Sequence, residues 1–168
     1  MLLIASYVAP ENSPLYDTLE LKDGILILEE SILQIVQNED PHTLLCGDLN
    51  ARTGYEKPKL EEMFNYIPGS DDNDDGDCRY RCSKDNIVNS FGKSLLNLCS
   101  MLDCVIVNGF CNSDANGEFT YVSPHGSRVI DCFIIPKDSF SIHCELRVGD
   151  CVDSWHLPVE LNGSKRVE

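Results

Sequence analysis

Thr43-Leu44-Leu45-Cys46-Gly47-Asp48-Leu49-Asn50 is a short apolar run that ends in a glycine, a carboxylate and an amide. It reads as a buried strand, Thr43 to Cys46, that hands Asp48 and Asn50 to a loop, the usual place for chemistry in an α/β fold. Upstream, Leu2 to Val8 is a second apolar run, ended by Pro10 and the turn cluster Asn12-Ser13-Pro14. Between the two runs Leu28, Ile32, Ile35 and Val36 repeat with helical spacing across Gly24 to Asn38, and Asp40-Pro41 stops the pattern. Downstream, residues 51–85 show little periodicity and read as a long irregular loop. Phe91, Leu95, Leu98 and Leu102 then mark one face of a second helix. The remainder reads as strands: Cys104 to Val107, Phe119 to Val122, Val129 to Ile135, the alternating Ile142, Cys144, Leu146 and Val148, and Val159 to Leu161. This order predicts an α/β fold in which two helices cover a mostly antiparallel set of strands.

A chain of 168 residues, 42% of them hydrophobic, has room for one domain, 1–168, with a sizeable core, which excludes disordered and collagenous classes. Its formal net charge of −15 restricts the partners. Nucleic-acid affinity comes largely from Lys and Arg neutralising phosphates, so any DNA binding by this chain has to be local. Nine cysteines are an odd count, well below the density of a disulfide scaffold, and fit a reducing, intracellular setting, nuclear or cytoplasmic. Met1 to Ala5 is too short and too poor in basic residues for a signal peptide and far too short to span a bilayer, so no membrane role is expected. It reads as a strand that begins at once, as though the chain enters its fold partway through.

Gly47-Asp48-Leu49-Asn50 taken alone is a turn, since Asp and Asn commonly follow strands. Its company changes the reading: Thr120-Tyr121, Ser127-Arg128-Val129-Ile130-Asp131 and Ser154-Trp155-His156-Leu157-Pro158-Val159. Asp131 lies in the apolar run Val129 to Ile135, where a carboxylate is costly to bury unpaired, and His156 is its natural partner.

These segments, with Ser6-Tyr7-Val8-Ala9-Pro10, Arg81-Cys82-Ser83-Lys84-Asp85, Asn89 to Cys99, Val107-Asn108-Gly109 and Gly117-Glu118-Phe119-Thr120-Tyr121, follow one another in an order that resembles the endonuclease/exonuclease/phosphatase superfamily. Within it, the closest resemblance is to the apurinic-like endonuclease domains of non-LTR (LINE-type) retrotransposons. The resemblance implies a four-layer α/β sandwich, two packed β-sheets flanked by helices, and Mg²⁺-dependent hydrolysis of DNA phosphodiesters. It assigns Asp48 to positioning or deprotonating the water, and matches Asp48 to a metal contact. Asn50 and Tyr7 fall on the groups that hold the phosphate, and His156, oriented by Asp131, on the imidazole that stabilises the phosphorane-like charge.

Two departures from the family pattern carry equal weight. Trp155 stands where the pattern has a metal-binding aspartate, and an indole offers only an N–H donor. Asp153, two residues earlier, would need a bulge to replace it. The family's N-terminal strands, with an Asn and the principal metal-binding Glu, would precede Met1, so the sandwich is expected to be incomplete on that side. Glu11 and Glu29 are no substitutes. A divalent cation in such a site supplies several kcal/mol of charge stabilisation, so the expectation is an N-terminally truncated, impaired nuclease-like domain. The alternatives are an active Mg²⁺-dependent phosphodiesterase, in which Asp153 or a partner chain completes the cage, and a non-catalytic interaction module whose partner chain covers exposed strand edges. Trp155 reads equally as rim packing and as a base-stacking substrate contact.

Outside that pattern, Arg79, Arg81 and Lys84 are the densest basic cluster, placed by the resemblance near the DNA-facing side, but the acidic run beside them cancels their charge. Cys78 and Cys82 lack a second pair for zinc, and Cys99, Cys104, Cys132 and Cys144 read as small buried hydrophobes. Asp71-Asp72-Asn73-Asp74-Asp75-Gly76 matches the first half of an EF-hand loop, but Cys82 stands where the bidentate Glu belongs and Pro68-Gly69 breaks the entering helix. Calorimetry is accordingly expected to show no micromolar Ca²⁺ binding; micromolar affinity lost on Asp75→Ala would contradict the reading of a solvated acidic loop.

Overall fold

The computed structural model describes residues 2–18, 23–38, 43–54, 81–139, 145–150 and 153–162. In chain order the elements are β1 (Leu2–Tyr7), α1 (Pro14–Thr18), α2 (Gly24–Asn38), β2 (Thr43–Asp48), α3 (Ser90–Met101), β3 (Cys104–Ile106), a 3₁₀ turn (Asn112–Asp114), β4 (Tyr121–Ser123), β5 (Gly126–Arg128), β6 (Asp131–Pro136), a second 3₁₀ turn (Lys137–Ser139), β7 (Glu145–Val148) and β8 (Val159–Asn162). The acidic segment 71–76, together with Arg79, Cys78, Cys144 and Ile142, lies outside the described residues.

β1 and β2 pair in parallel, and a parallel pair needs a crossover, which α2 supplies. β6 then pairs antiparallel with both β2 and β3, giving a four-stranded sheet in the order β1-β2-β6-β3. Side chains alternate across the sheet, so each strand contributes to two layers. On one face Ile4, Leu45, Cys132, Ile134 and Ile106 pack against Leu28 and Ile32 of α2 and Leu95, Leu98 and Cys99 of α3. On the other, Leu44, Phe133 and Ile135 pack against Leu146, Val148, Val159 and Leu161 of the β7–β8 hairpin. Helices, sheet and a second β layer form the α/β sandwich expected from the sequence. Among the described residues no helix is long and apolar enough to cross a membrane.

Helix bounds follow from caps as much as from periodicity. Asp23 Oδ1 accepts the N–H groups of Ile25 and Leu26 at the start of α2, and its Oδ2 accepts the Ser94 hydroxyl at 3.1 Å, tying α2 to α3. Asn89 Oδ1 accepts the Gly92 N–H at 2.7 Å and so caps α3. Ile25 joins the expected Leu28 and Ile32 on the buried face of α2. The helix α1 was not expected, because five residues are too few to show a period. Tyr16 anchors it by donating its hydroxyl to the Ala9 carbonyl at 2.7 Å and meeting Phe91 edge-on.

Two expectations need correction. The run Val129 to Ile135 is not one strand: β5 ends at Arg128 and β6 begins at Asp131, with the chain bending at Val129-Ile130. The buried Thr120 hydroxyl accepts the N–H groups of both Ile130 and Asp131 at 3.0 Å, holding the bend. The strand expected over Phe119 to Val122 is shifted to Tyr121–Ser123. The described ends of the loop 51–85 carry no helix or strand, but they are held: Thr53 bridges Val88, and Arg81, 3% exposed, donates to Thr53 Oγ1 and the Gly54 carbonyl. Arg81 is therefore a buried strut, and Lys84 pairs with Glu118.

Cys99, Cys104, Cys132 and Cys111 are buried, and the described cysteines are free thiols. Burial holds the thiol of Cys104 up at about 11 and that of Cys132 at about 12, with Cys99 raised further. They act as small core side chains and not as nucleophiles.

Gly47 interrupts β2 with φ of 136°, and a Cβ there would lie 1.9 Å from the Ser6 carbonyl oxygen of β1. Only glycine lets the two strands approach while the chain turns to present Asp48. Gly47→Ala is expected to cost at least about 2 kcal/mol, read as a lower midpoint in urea unfolding. An unchanged midpoint would mean that β1 yields freely.

Candidate functional site

Strand register gathers the site. Tyr7 stands opposite Asp48 in the parallel pair, and Asp48 stands opposite Asp131 in the antiparallel one. The three side chains share the end of one sheet face, the face that carries Leu44, Phe133 and Ile135 farther along. Tyr7 is 69% exposed there, whereas the Asp48 and Asp131 side chains keep 15% and 19% of their surface.

Each carboxylate is positioned by its neighbours. Asp48 Oδ1 accepts the Asn50 backbone N–H at 3.0 Å, closing a turn in which Asn50 takes the left-handed conformation at φ 47°. The Asn50 side chain donates through Nδ2 to the Val8 carbonyl at 2.9 Å, and its own carbonyl accepts from Asn89 Nδ2 at 3.0 Å. Asn50 is thus held between β1 and the cap of α3, with one amide N–H committed to the backbone. Asp131 is held from both sides of its peptide: Thr120 Oγ1 accepts its N–H, and Asn108, fully buried, donates to its carbonyl at 3.1 Å.

His156 arrives from the segment between the hairpin strands. Val122 donates to the Trp155 carbonyl and Leu157 donates to the Thr120 carbonyl, both at 2.8 Å, so this segment runs alongside β4 and clamps the histidine. Its ring meets Tyr121 edge-on at 4.9 Å, and the Arg128 guanidinium lies 5.5 Å from the same Tyr121 ring. Nδ1 of His156 is 3.1 Å from each oxygen of Asp131, and Nε2 is 3.8 Å from Asp48 Oδ2. The first distance is a hydrogen bond and fixes the tautomer; the second is too long for one. Nε2 and the Asp48 carboxylate therefore face each other at ion-pair distance without a direct hydrogen bond.

Burial raises the Asp48 pKa above its ordinary value, and the nearby Asp131 charge pushes the same way. The Asn50 N–H and His156 oppose that rise without cancelling it.

One ligand atom from each of Asp48, Asp131 and His156 lies within 4.8 Å of the others, a group that can hold a metal ion. The donor set does not fit a tightly held Mg²⁺, which demands oxygen ligands in an octahedron. Among the described residues the group offers two carboxylates and one imidazole, and both oxygens of Asp131 already accept from His156 Nδ1. Asp153 is exposed and stands outside this group, and Trp155, 56% exposed at the rim, has no lone pair to give.

Four contributors carried no role in the sequence reading. Thr120 and Asn108 hold Asp131 in place, Asn89 holds Asn50, and Asp85 makes a two-point ion pair with Arg52, at 2.8 and 2.6 Å, while accepting the N–H groups of Ile87 and Val129. Asn89 alone had a local signal, an amide directly before an apolar helical repeat.

No protein-family model matches the chain, and no curated protein matches it. Solved structures do. A 3′-5′ exonuclease, NExo, from Neisseria meningitidis superposes with a TM-score of 0.57 at 15% identity, covering 95% of this chain and 60% of that one. A 3′ phosphatase form of NExo bound to a product DNA hairpin gives 0.58 at 14% identity, over 97% and 61% of the two chains. The endonuclease domain of TRAS1, a telomere-specific non-LTR retrotransposon, gives 0.54 at 17% identity, over 93% and 52%. The chain thus spans between half and two-thirds of the structures it matches. Over that span its fold is that of the endonuclease/exonuclease/phosphatase nucleases.

Proposed function

We propose that this chain is an endonuclease-like domain of retrotransposon kind whose site grips a nucleic-acid phosphodiester and turns it over slowly. The observation that carries the reading is the His156 geometry: Nδ1 bound to both Asp131 oxygens, Nε2 turned toward Asp48 across 3.8 Å. A phosphate oxygen beside this pair accepts from Nε2 when the imidazole is protonated, while Asp48, when ionised, accepts the proton of an attacking water. The exposed hydroxyl of Tyr7 supplies a further donor at the same end of the sheet, where the Asn50 side chain bonds to the Val8 carbonyl and to Asp48. The likeness to a retrotransposon endonuclease domain and to an enzyme bound to a DNA hairpin supports DNA as the substrate. The exposed edge at β1, with Leu3 and Tyr7 uncovered, is where a partner chain would add a strand.

Slow turnover follows from the donor set. With two carboxylates and one imidazole as its possible ligands among the described residues, Mg²⁺ is weakly held, and the remaining hydrogen-bond donors do not replace the several kcal/mol such an ion supplies. Supercoiled plasmid in millimolar Mg²⁺ is expected to stay intact; nicking abolished by Asp48→Ala would establish the active phosphodiesterase instead.

A group with a role in chemistry is often a burden to the fold, and Asp48 has the features of one. Its folded pKa lies above its unfolded value, so ionisation opposes folding. The penalty is absent below the unfolded carboxylate pKa and complete once pH exceeds the folded one. Asp48→Asn keeps the acceptor for the Asn50 N–H and removes the charge facing Asp131. Its melting temperature is expected to exceed that of the parent by about 2–4 °C at neutral pH, the difference closing as pH falls through the carboxylate range. Equal melting curves at every pH would show that Asp48 ionises at no cost.

A further inference from the structure

A partly enclosed cavity of about 100 Å³ lies between α2, α3 and the helix-side face of the sheet. Ile32 of α2, Leu98 of α3, and Leu45 and Ile134 of the sheet give it apolar walls. Thr43, the first residue of β2, lines it as well, on the same sheet face as Leu45 two residues on. Thr43 starts the strand that ends at Asp48, so the cavity stands about 17 Å along β2 from the site described above and on the other face of the sheet. We infer that this cavity is a binding site for one small, uncharged, mainly hydrocarbon molecule that carries a single hydroxyl or carbonyl, held by its apolar part and hydrogen-bonded to Thr43 Oγ1. The inference is independent of the phosphodiester reading.

Polarity picks out the ligand. Thr43 is 8% exposed, and its hydroxyl oxygen is buried without a hydrogen-bond partner among the described residues. A hydroxyl taken out of water and left unpaired has forfeited its bonds to solvent, so a ligand atom that pairs with it gains more there than at the surface. Among the described residues no charged side chain lines the cavity. Two thiols do, those of Cys99 and Cys104, and burial raises the pKa of both, which keeps them neutral. Cys104 Sγ also donates to the Leu102 carbonyl at 3.4 Å. An ion entering this space would meet no opposite charge, which rules out carboxylates and phosphates as occupants. Water suits it poorly, because a buried water needs about two to four polar partners and the walls are chiefly hydrocarbon and thiol. An apolar cavity of about 150 Å³ takes up benzene, so the space here suits a molecule of that size or a little smaller. Half-buried Leu102 is the lining side chain most open to solvent, and gives a ligand a side from which to enter.

Isothermal titration calorimetry of the whole chain tests this with phenol, benzene and benzoate. Phenol is expected to bind at one molecule per chain, benzene about fivefold more weakly because it leaves the Thr43 hydroxyl unpaired, and benzoate not detectably. Thr43→Val keeps the shape of the side chain and removes its hydroxyl, so it is expected to reverse the order, with benzene bound more tightly than phenol. Cys99→Leu fills the space and is expected to abolish the binding of both while raising the melting temperature of the unliganded chain. The absence of a saturable heat with phenol and with benzene overturns the inference, as does a folded Cys99→Leu variant that binds phenol like the parent. Phenol bound equally well by the parent and by Thr43→Val overturns the role given to the hydroxyl and with it the ligand class. Each measurement is made without cleavage, so none of these outcomes bears on the phosphodiester reading.

Discussion

Two carboxylates stand side by side at one end of the sheet because β2 and β6 pair Asp48 with Asp131. Two like charges on one half-buried face repel, and the arrangement persists because His156 inserts its ring between them and binds one by both oxygens. Much of the surrounding structure keeps that ring in place. The segment 155–157 is bonded along β4, the Tyr121 ring buttresses the imidazole edge-on, and Thr120 bends the chain so that Asp131 starts β6 on the correct face. Were the chain to continue straight from β5 into β6, a one-residue slip would turn Asp131 to the helix side.

The same contacts divide the labour between the carboxylates. Asp131 has both oxygens within hydrogen-bond distance of His156 Nδ1, whereas Asp48 meets Nε2 only at 3.8 Å and has its pKa raised by burial. Two acidic groups of the same chemistry thereby differ in environment, one bound by the histidine and the other held at a raised pKa. Among the described residues the possible ligands are Asp48, Asp131 and His156, and Trp155 occupies the place in the chain from which the resemblance would have drawn another carboxylate.

The site is built at the meeting of two layers, and this explains which residues escaped a reading of the sequence. Asn108, Thr120 and Asn89 act through hydrogen bonds to backbone groups 23, 11 and 39 residues away. Nothing in their immediate sequence distinguishes them from turn residues, apart from the capping position of Asn89. Arg81 shows the reverse error: a basic residue between charged neighbours looks like surface, yet its planar guanidinium suits the carbonyl and hydroxyl left by the chain at Thr53 and Gly54.

From the sequence alone came α2 over Gly24 to Asn38, the face of α3 marked by Phe91, Leu95 and Leu98, the strand that leads to Asp48, and the partnership of Asp131 with His156. These depend on side-chain period and on the cost of burying an unpaired charge, both of which are local or nearly so. Tertiary structure decided the bend at Val129-Ile130, the burial of Arg81 and the contact of both Asp131 oxygens with His156. Each of these turns on which distant donor meets which acceptor, and a linear pattern of hydrophobicity carries no record of that pairing.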